Sequence, residues 1–336
     1  MKICVLGAGT WGTALASLLA KNGHHVTLWS AIPEELHRLS MHRVHPNLPG
    51  ASIPDNIIYH TDIAKACRGN DLILFVVASQ FIRSTARAIA PALSDGVILV
   101  SAAKGIEKNT LMTMSDIITD EVGKINPTLS YKVAALSGPT HAEEVAVGLP
   151  TSIVAACEDE KTAFDIAGLF TGSCIRAYTN TDTRGVELAG AIKNVIAIAA
   201  GINKGMGFGD NAQAMLMTRG AAEMARIGLA MGCKRRTFMG LAGIGDLIVT
   251  CTSHHSRNNQ CGQLLAAGLS YEEASRRIGM VVEGYYALEG AIALKEKYEV
   301  DMPITEAVYD IIFRHVAPKD AMAKLMARDI KSELNT

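Results

Sequence analysis

The stretch Lys2-Ile3-Cys4-Val5-Leu6-Gly7-Ala8-Gly9-Thr10-Trp11-Gly12 opens the chain with a short apolar run that ends in glycines spaced G-x-G-x-x-G. The run reads as a strand. The glycines then open a helical pattern that continues to Lys21 and stops at Gly23. That order, strand, glycine turn, helix, is the context in which the spacing acquires meaning. Gly7 permits a tight turn, Gly9 lets the backbone approach a pyrophosphate, and Gly12 allows helix and strand to pack closely. The N–H groups at the start of the helix have no intrahelical partner and are offered to phosphate oxygens. A plain βα turn is the alternative, and it needs no ligand.

Working outward, short apolar runs at residues 26–29, 57–59, 72–77, 97–101 and 132–136 alternate with helical patterns, and 151–155 and 174–178 read as two further strands. Pro33 and Thr61 start helices, and Thr140 with Glu143 forms a capping box after Pro139. Such alternation predicts a doubly wound, mostly parallel sheet of the Rossmann type. Beyond about Asp182 the pattern becomes all helical, with helices expected at 184–203, 211–231, 258–267, 271–278, 285–298, 305–316 and 319–330. The fold class is therefore α/β, an N-terminal Rossmann domain over 1–181 followed by an all-α domain over 182–336.

A dinucleotide site normally places an acid at the end of the second strand to hold the ribose, or a base there to accept a 2′-phosphate. Trp29-Ser30-Ala31 supplies neither, and Glu34 and Glu35 fall in the next helix. NAD and NADP both remain open as the cofactor.

Composition narrows the partners. A formal net charge of -1 leaves no basic surface for nucleic acid, and the runs Lys234-Arg235-Arg236 and Arg276-Arg277 are only solvated helix ends. Seven cysteines without a C-x-x-C pair read as reduced thiols of a cytoplasmic protein. Cys251 and Cys261 flank His254-His255, but that spacing fits no standard zinc site, so no metal is expected. Ile3–Leu19 is interrupted by glycines, threonines and a Trp and lacks a cleavage site, so it is not a secretory leader. No other run predicts a membrane span.

Chemistry-bearing residues recur at strand and helix ends. Lys104 follows the strand 97–101, at the sheet edge where open α/β folds bind ligands; a solvated surface lysine is the other reading. Ser137-Gly138-Pro139-Thr140 occupies the same edge. Lys193 is the one charged residue between Leu188 and Asn203, in a helix otherwise built of Ala, Ile, Val and Gly. It either snorkels outward or points into a polar cleft, and Asn194 beside it favours the cleft. Gly243-Ile244-Gly245-Asp246 places a carboxylate after a flexible turn, followed by Thr250. Ser256-Arg257-Asn258 then precedes a helix, where a guanidinium suits a phosphate dianion; Asn258 as a plain helix cap is the simpler reading of that residue.

Taken together, Gly7–Ala14, Lys104-Gly105, Ser137–Thr140, Lys193–Ala197, Gly243–Leu247, Ser256–Asn258 and Val281-Val282-Glu283-Gly284 resemble bacterial NAD(P)-dependent glycerol-3-phosphate dehydrogenase, in order across nearly the whole chain. The resemblance implies an oxidoreductase that interconverts dihydroxyacetone phosphate and sn-glycerol 3-phosphate for glycerophospholipid supply. It implies cofactor contacts from Gly7, Gly9, Thr10, Trp11, Gly12, Lys104, Ala142, Arg257, Val281 and Glu283. Substrate contacts are implied for Lys104, Gly138, Thr140, Lys193, Asn194, Asp246, Thr250, Ser256, Arg257 and Asn258. Lys193, Lys104 and Asp246 form the implied catalytic group, with Lys193 as proton donor and acceptor.

The family often carries a basic residue at the place of Ala31 and a Pro at that of Ala78, and both are absent here. A β-hydroxyacid-type two-domain dehydrogenase looks for Asn four positions after its Lys, where this chain has Ala197. A non-catalytic NAD(P)-sensing protein gives no reason for Lys193, Asp246 and Arg257. The expected partner is a small-molecule substrate, and a homodimer is left open.

Overall fold

The computed structural model describes residues 1–330 and 332–333. It contains two compact units, Met1–Lys104 with Met112–Glu187, and Gly105–Leu111 with Leu188–Thr336.

The first unit is built on one eight-stranded sheet. Its strands are β1 (Lys2–Leu6), β2 (His25–Trp29), β3 (Ile58–His60), β4 (Leu72–Phe75), β5 (Val97–Ser101), β6 (Tyr131–Ser137), β7 (Thr151–Ala156) and β8 (Ile175–Asn180), in the order β3-β2-β1-β4-β5-β6-β7-β8. All neighbours run parallel except β6 and β7. The doubly wound, mostly parallel sheet read from the sequence is thus present, each strand within two residues of its expected bounds. Chain order reverses on either side of β1, which makes the carboxyl ends of β1 and β4 the crevice where such sheets take ligands.

The helices of this unit are α1 (Thr10–Lys21), α2 (Pro33–His42), α3 (Ile63–Cys67), α4 (Ile82–Ile89), α5 (Met114–Ile125), α6 (Ala142–Ala146) and α7 (Glu160–Gly168). Strand residues alternate between two buried faces, as they must when helices cover both sides. Ile3, Val5, Val26, Leu28 and Leu74 pack with Leu15 and Leu19 of α1 on one face. Cys4, Leu6, Ile73, Phe75 and Leu99 pack with Ile82 of α4 and Ile117 of α5 on the other. Each such aliphatic side chain, fully removed from water, contributes roughly 1.5–3 kcal/mol.

Two expected helix starts differ. Asp62, not Thr61, caps α3, accepting from the Lys65 N–H at 3.1 Å; a carboxylate one residue nearer outcompetes the hydroxyl. Thr140 and Glu143 form no capping box. α6 begins only at Ala142, and the Thr140 hydroxyl instead donates back to the Gly138 carbonyl at 3.2 Å.

The long helix α8 (Thr183–Gly205) begins in the first unit and continues into the second. The compact units divide after Glu187, inside the helix. Glu187 is buried and accepts from the backbone N–H and hydroxyl of Ser115 at 2.9 and 2.5 Å, so the first turn of α8 belongs with α5.

The second unit adds α9 (Gly209–Ala230), α10 (Arg235–Phe238), α11 (Asp246–Thr252), α12 (Arg257–Ala266), α13 (Tyr271–Ile278), α14 (Glu283–Tyr298), α15 (Pro303–Phe313) and α16 (Pro318–Met326), with no strand among its described residues. Every residue from Leu188 to Ile198 is buried, as expected of a helix apolar all round. By length and composition α8 could cross a membrane, yet 94% of that window lies buried inside the protein. Gly262 lets α12 cross it closely: a Cβ there would stand 2.0 Å from the Ile198 carbonyl oxygen. A Cβ on Gly201 would meet the Asn259 oxygen at the same distance. This crossing sets the register between α8 and the first turn of α12.

Candidate active site

In the sheet unit, the glycine turn joins β1 to α1 beside the end of β2, with the Gly7 N–H donating to the Trp29 carbonyl at 2.9 Å. Gly7 has φ +117°, and a Cβ there would lie 3.0 Å from the backbone of Val76 and Val77. A Cβ on Gly12 would strike the Gly7 oxygen at 1.9 Å, so helix and turn touch only because Gly12 has none. Gly9 is different: nothing lies within 4 Å of the place its Cβ would take. It is also the residue before α1, and no side chain caps that helix. Open space over a flat backbone, facing uncapped N–H groups, fits a pyrophosphate. The residues present therefore fit a dinucleotide.

Thr10 is buried, and the half-buried Trp11 packs with Ala14, Leu48 and Ala142, the first residue of α6. Lys104 lies beyond the end of β5, its Nζ donating to the Gly138 carbonyl at 3.4 Å. Thr140 donates to the same oxygen, so Lys104, Gly138 and Thr140 form one cluster at the carboxyl edge of β5 and β6. The turn there is fixed: Gly138 has φ +137°, and a Cβ would stand 3.0 Å from the Ser152 oxygen.

In the helical unit, Lys193 is 4% exposed and does not snorkel. Its Nζ lies 2.5 Å from Oδ1 of Asp246 and 2.6 Å from the Thr250 hydroxyl. Thr250 in turn donates to the Asp246 carbonyl at 2.6 Å, one turn back along α11. The segment before Asp246 is not the flexible turn expected from its glycines. Leu241–Gly245 forms a π-helical turn, and a Cβ on Gly243 would lie 2.1 Å from the Phe238 oxygen. Such turns redirect a helix at a functional residue. Here it aims Asp246 and Thr250 at the same amine. Cys251 follows them in the interior; burial pushes its thiol up to about 12, with Lys193 drawing it partly back.

Asn194 accepts from the Asn258 side-chain amide at 3.0 Å, and the Asn258 oxygen accepts from the Gly284 N–H at 2.9 Å. Asn258 therefore ties α8, α12 and the start of α14 together. It is not the cap of α12. Ser256 is, its hydroxyl accepting from the Asn259 N–H at 3.2 Å. Arg257 is the first residue of α12, half-buried, and its Nη1 donates to the Val281 carbonyl at 3.0 Å. Glu283, two residues further on, opens α14.

The model for the N-terminal part of NAD-dependent glycerol-3-phosphate dehydrogenase matches residues 2–163, and the model for its C-terminal part matches residues 182–323. The chain belongs to this family. Its members include the glycerol-3-phosphate dehydrogenase (NAD(P)+) 2 of Lactobacillus delbrueckii subsp. bulgaricus, 51% identical over 99% of both chains. The glycerol-3-phosphate dehydrogenase (NAD(P)+) of Agathobacter rectalis is 46% identical over 99% of this chain and 97% of that one. The crystal structure of glycerol-3-phosphate dehydrogenase from Coxiella burnetii superposes with a TM-score of 0.92 at 35% identity, covering 97% of this chain and 99% of that one. Full-length relatives at this identity make the chain an NAD(P)-dependent oxidoreductase.

Two residues without a role in the sequence reading stand at the glycine turn. His45 hydrogen-bonds the backbone of Ala8, and burial holds its imidazole below the ordinary histidine range against the opposing pull of Glu35. Asn47 reaches the Thr10 hydroxyl at 3.5 Å. Neither lies in a regular element, so no periodicity could have marked them.

Proposed function

We propose that the chain reduces dihydroxyacetone phosphate to sn-glycerol 3-phosphate, and catalyses the reverse, with Lys193 as the proton donor and acceptor. The observation that carries this is the buried Lys193 amine, held between Asp246 and Thr250 in a helical unit of a dehydrogenase family. When bound, the nicotinamide ring supplies or accepts the hydride at carbon 2 of the substrate.

The chain's own task is the proton on the adjoining oxygen. In the reduction, the Lys193 ammonium gives its proton to that oxygen; in the oxidation, the amine takes it back. Asp246 and Thr250 fix the direction of Nζ, so the amine is already oriented when substrate arrives. Asn194, immobilised by Asn258, presents its remaining hydrogen-bonding capacity beside it.

Arg257 and the N–H groups of the first turn of α12 hold the phosphate dianion in this reading. Ser256 acts through the helix, by keeping that turn wound. On the sheet unit, Gly7, Gly9 and Gly12 shape the pyrophosphate cradle, with Thr10, Trp11 and Ala142 along it. Lys104, with Gly138 and Thr140, is the polar cluster proposed to meet the substrate. Val281 and Glu283 are proposed as cofactor contacts. The sheet unit is thus the nucleotide-binding part and the helical unit the substrate-binding part.

In this reading the enzyme is cytoplasmic and supplies glycerophospholipid synthesis, as the family resemblance implies. The test is direct. Purified protein with dihydroxyacetone phosphate should consume NADH or NADPH, followed by absorbance, and form glycerol 3-phosphate. Absence of turnover with both cofactors would refute the assignment.

A further inference from the structure

The end of β2 offers no acid or base of its own, but the fold brings one back. Ser30, the residue after β2, is 4% exposed. Its hydroxyl accepts from the Ile32 N–H at 3.1 Å and donates to Oε2 of Glu35 at 2.6 Å. Glu35 lies in the first turn of α2 and is only half-buried. Pro33 at the start of α2 sets this geometry, since the helix begins at once after the strand and folds its first turn back over it. A carboxylate is thereby held at the carboxyl end of β2, one strand from the glycine turn, to which β2 is tied by the Gly7–Trp29 hydrogen bond.

From this geometry we infer that Glu35 reads the adenosine ribose and makes the enzyme prefer NAD(H) to NADP(H). The inference rests on the dinucleotide reading of the glycine cradle. A ribose 2′-hydroxyl can donate to a carboxylate. A 2′-phosphate cannot, and its negative charge would face another at close range.

Other titratable groups around this position include Glu34, His37 and Arg38 on α2, His45 with Glu143 beside it, and His60, which pairs with Trp29 at the end of β2. Glu34 adds to the repulsion. Arg38, one turn beyond Glu35 and near His45, is the strongest cation here that could instead welcome a phosphate. It is exposed, and among the described residues no side-chain hydrogen bond or ion pair holds it, so binding must first immobilise it. Glu35 is already oriented by Ser30. His45 is held toward Ala8, and burial keeps it from carrying charge readily. Arg43 ion-pairs with Asp55 at 3.9 Å. The pre-oriented carboxylate decides the balance.

The experiment is equilibrium binding of NADH and of NADPH to the purified full chain, followed by nicotinamide fluorescence, with the wild type and Glu35→Gln. The wild type should bind NADH at least about tenfold more tightly, the range expected for one charged hydrogen bond. Glu35→Gln should narrow the ratio at least threefold, chiefly by tightening NADPH, and Glu35→Asp should keep most of the preference. The ratio of kcat/KM values should follow. Equal or tighter binding of NADPH by the wild type overturns the inference, as does a ratio that Glu35→Gln leaves within threefold. Failure of both nucleotides to bind would refute the dinucleotide reading itself, and the inference with it.

Discussion

The amine of Lys193 and the carboxylate of Asp246 meet at 2.5 Å although fifty-three residues separate them, and both side chains are at most 5% exposed. A buried ion pair of this kind is weak support for stability, since desolvation of both charges offsets most of their attraction. Its value here is orientation. Replacing Lys193 by Ala should lower kcat by at least about a hundredfold, the scale of a lost general acid. The affinity for NADH, whose cradle lies in the sheet unit, should change less than threefold. A variant with near-normal turnover would remove Lys193 from the mechanism.

Asp246 and Thr250 should separate cleanly. Asp246→Asn leaves a buried ammonium without its counter-charge, a change that typically costs about 3–5 kcal/mol, so both Tm and kcat should fall. Thr250→Val removes one hydrogen bond to Nζ and one to the Asp246 carbonyl, without stranding a charge. Its kcat should drop about tenfold, with a loss of unfolding free energy of about 1–2 kcal/mol. Equal thermal losses in the two variants would contradict the ion-pair reading.

The sheet was legible because each strand carries its own signal, a short apolar run between turn residues, and the glycine cradle is contiguous in sequence. Lys193 was legible for the opposite reason, as a lone charge in an apolar helix. What escaped was decided by contacts across the chain. Asn258 reads in the sequence most simply as a helix cap, whereas its two partners, Asn194 and the Gly284 N–H, lie 64 and 26 residues away. The glycines before Asp246 suggest flexibility, but Gly243 is required by close packing on Phe238. Glu35 belongs by sequence to the next helix, yet Pro33 starts that helix so soon that its first turn reaches Ser30.

Glu187 carries a pH dependence with a definite sign. Burial pushes its carboxyl up to about 7, with Ser115 and Thr113 opposing. An unfolded glutamate titrates at about 4.3. Between these values the folded chain keeps a proton that the unfolded chain has released. The stabilisation is therefore complete below about pH 4.3 and is lost as the pH rises through 7. Glu187→Gln cannot titrate. Its unfolding free energy relative to wild type should rise by up to about 3 kcal/mol between pH 5 and pH 8. A difference that does not vary with pH would show that Glu187 does not titrate in this window.

Glu223 is a structural counterpart away from the chemistry. It is fully buried, and burial pushes it up to about 7. It accepts from the N–H groups of Ile304 and Thr305 and from the Thr305 hydroxyl at 2.6, 3.1 and 3.0 Å. Met302 has no side-chain acceptor to offer α15, so Glu223 of α9 serves as its cap. Glu223→Ala should cost about 2–4 kcal/mol of stability by leaving these donors buried and unpaired. The KM for cofactor should stay within twofold at a temperature where the variant is folded.

Arg257 offers the sharpest test of the substrate, because it separates recognition of phosphate from support of the fold. Its Nη1 is engaged with the Val281 carbonyl, which steadies the guanidinium on the first turn of α12. The N–H groups of Arg257 and Asn258 begin that helix, whereas the Asn259 N–H is already taken by Ser256. A phosphate dianion placed there would meet two backbone donors and a planar donor fork, which a lysine ammonium cannot reproduce. Losing one charged hydrogen bond costs about 1.5–3 kcal/mol, or roughly ten- to more than a hundredfold in kcat/KM. Arg257→Lys should be impaired by about tenfold, and Arg257→Ala more severely. Dihydroxyacetone, which lacks the phosphate, should be a poor substrate of the wild type and scarcely worse with Arg257→Ala. If the variant lowered kcat/KM for both substrates by the same factor, Arg257 would be acting through Val281 and the fold, and the phosphate would be held elsewhere.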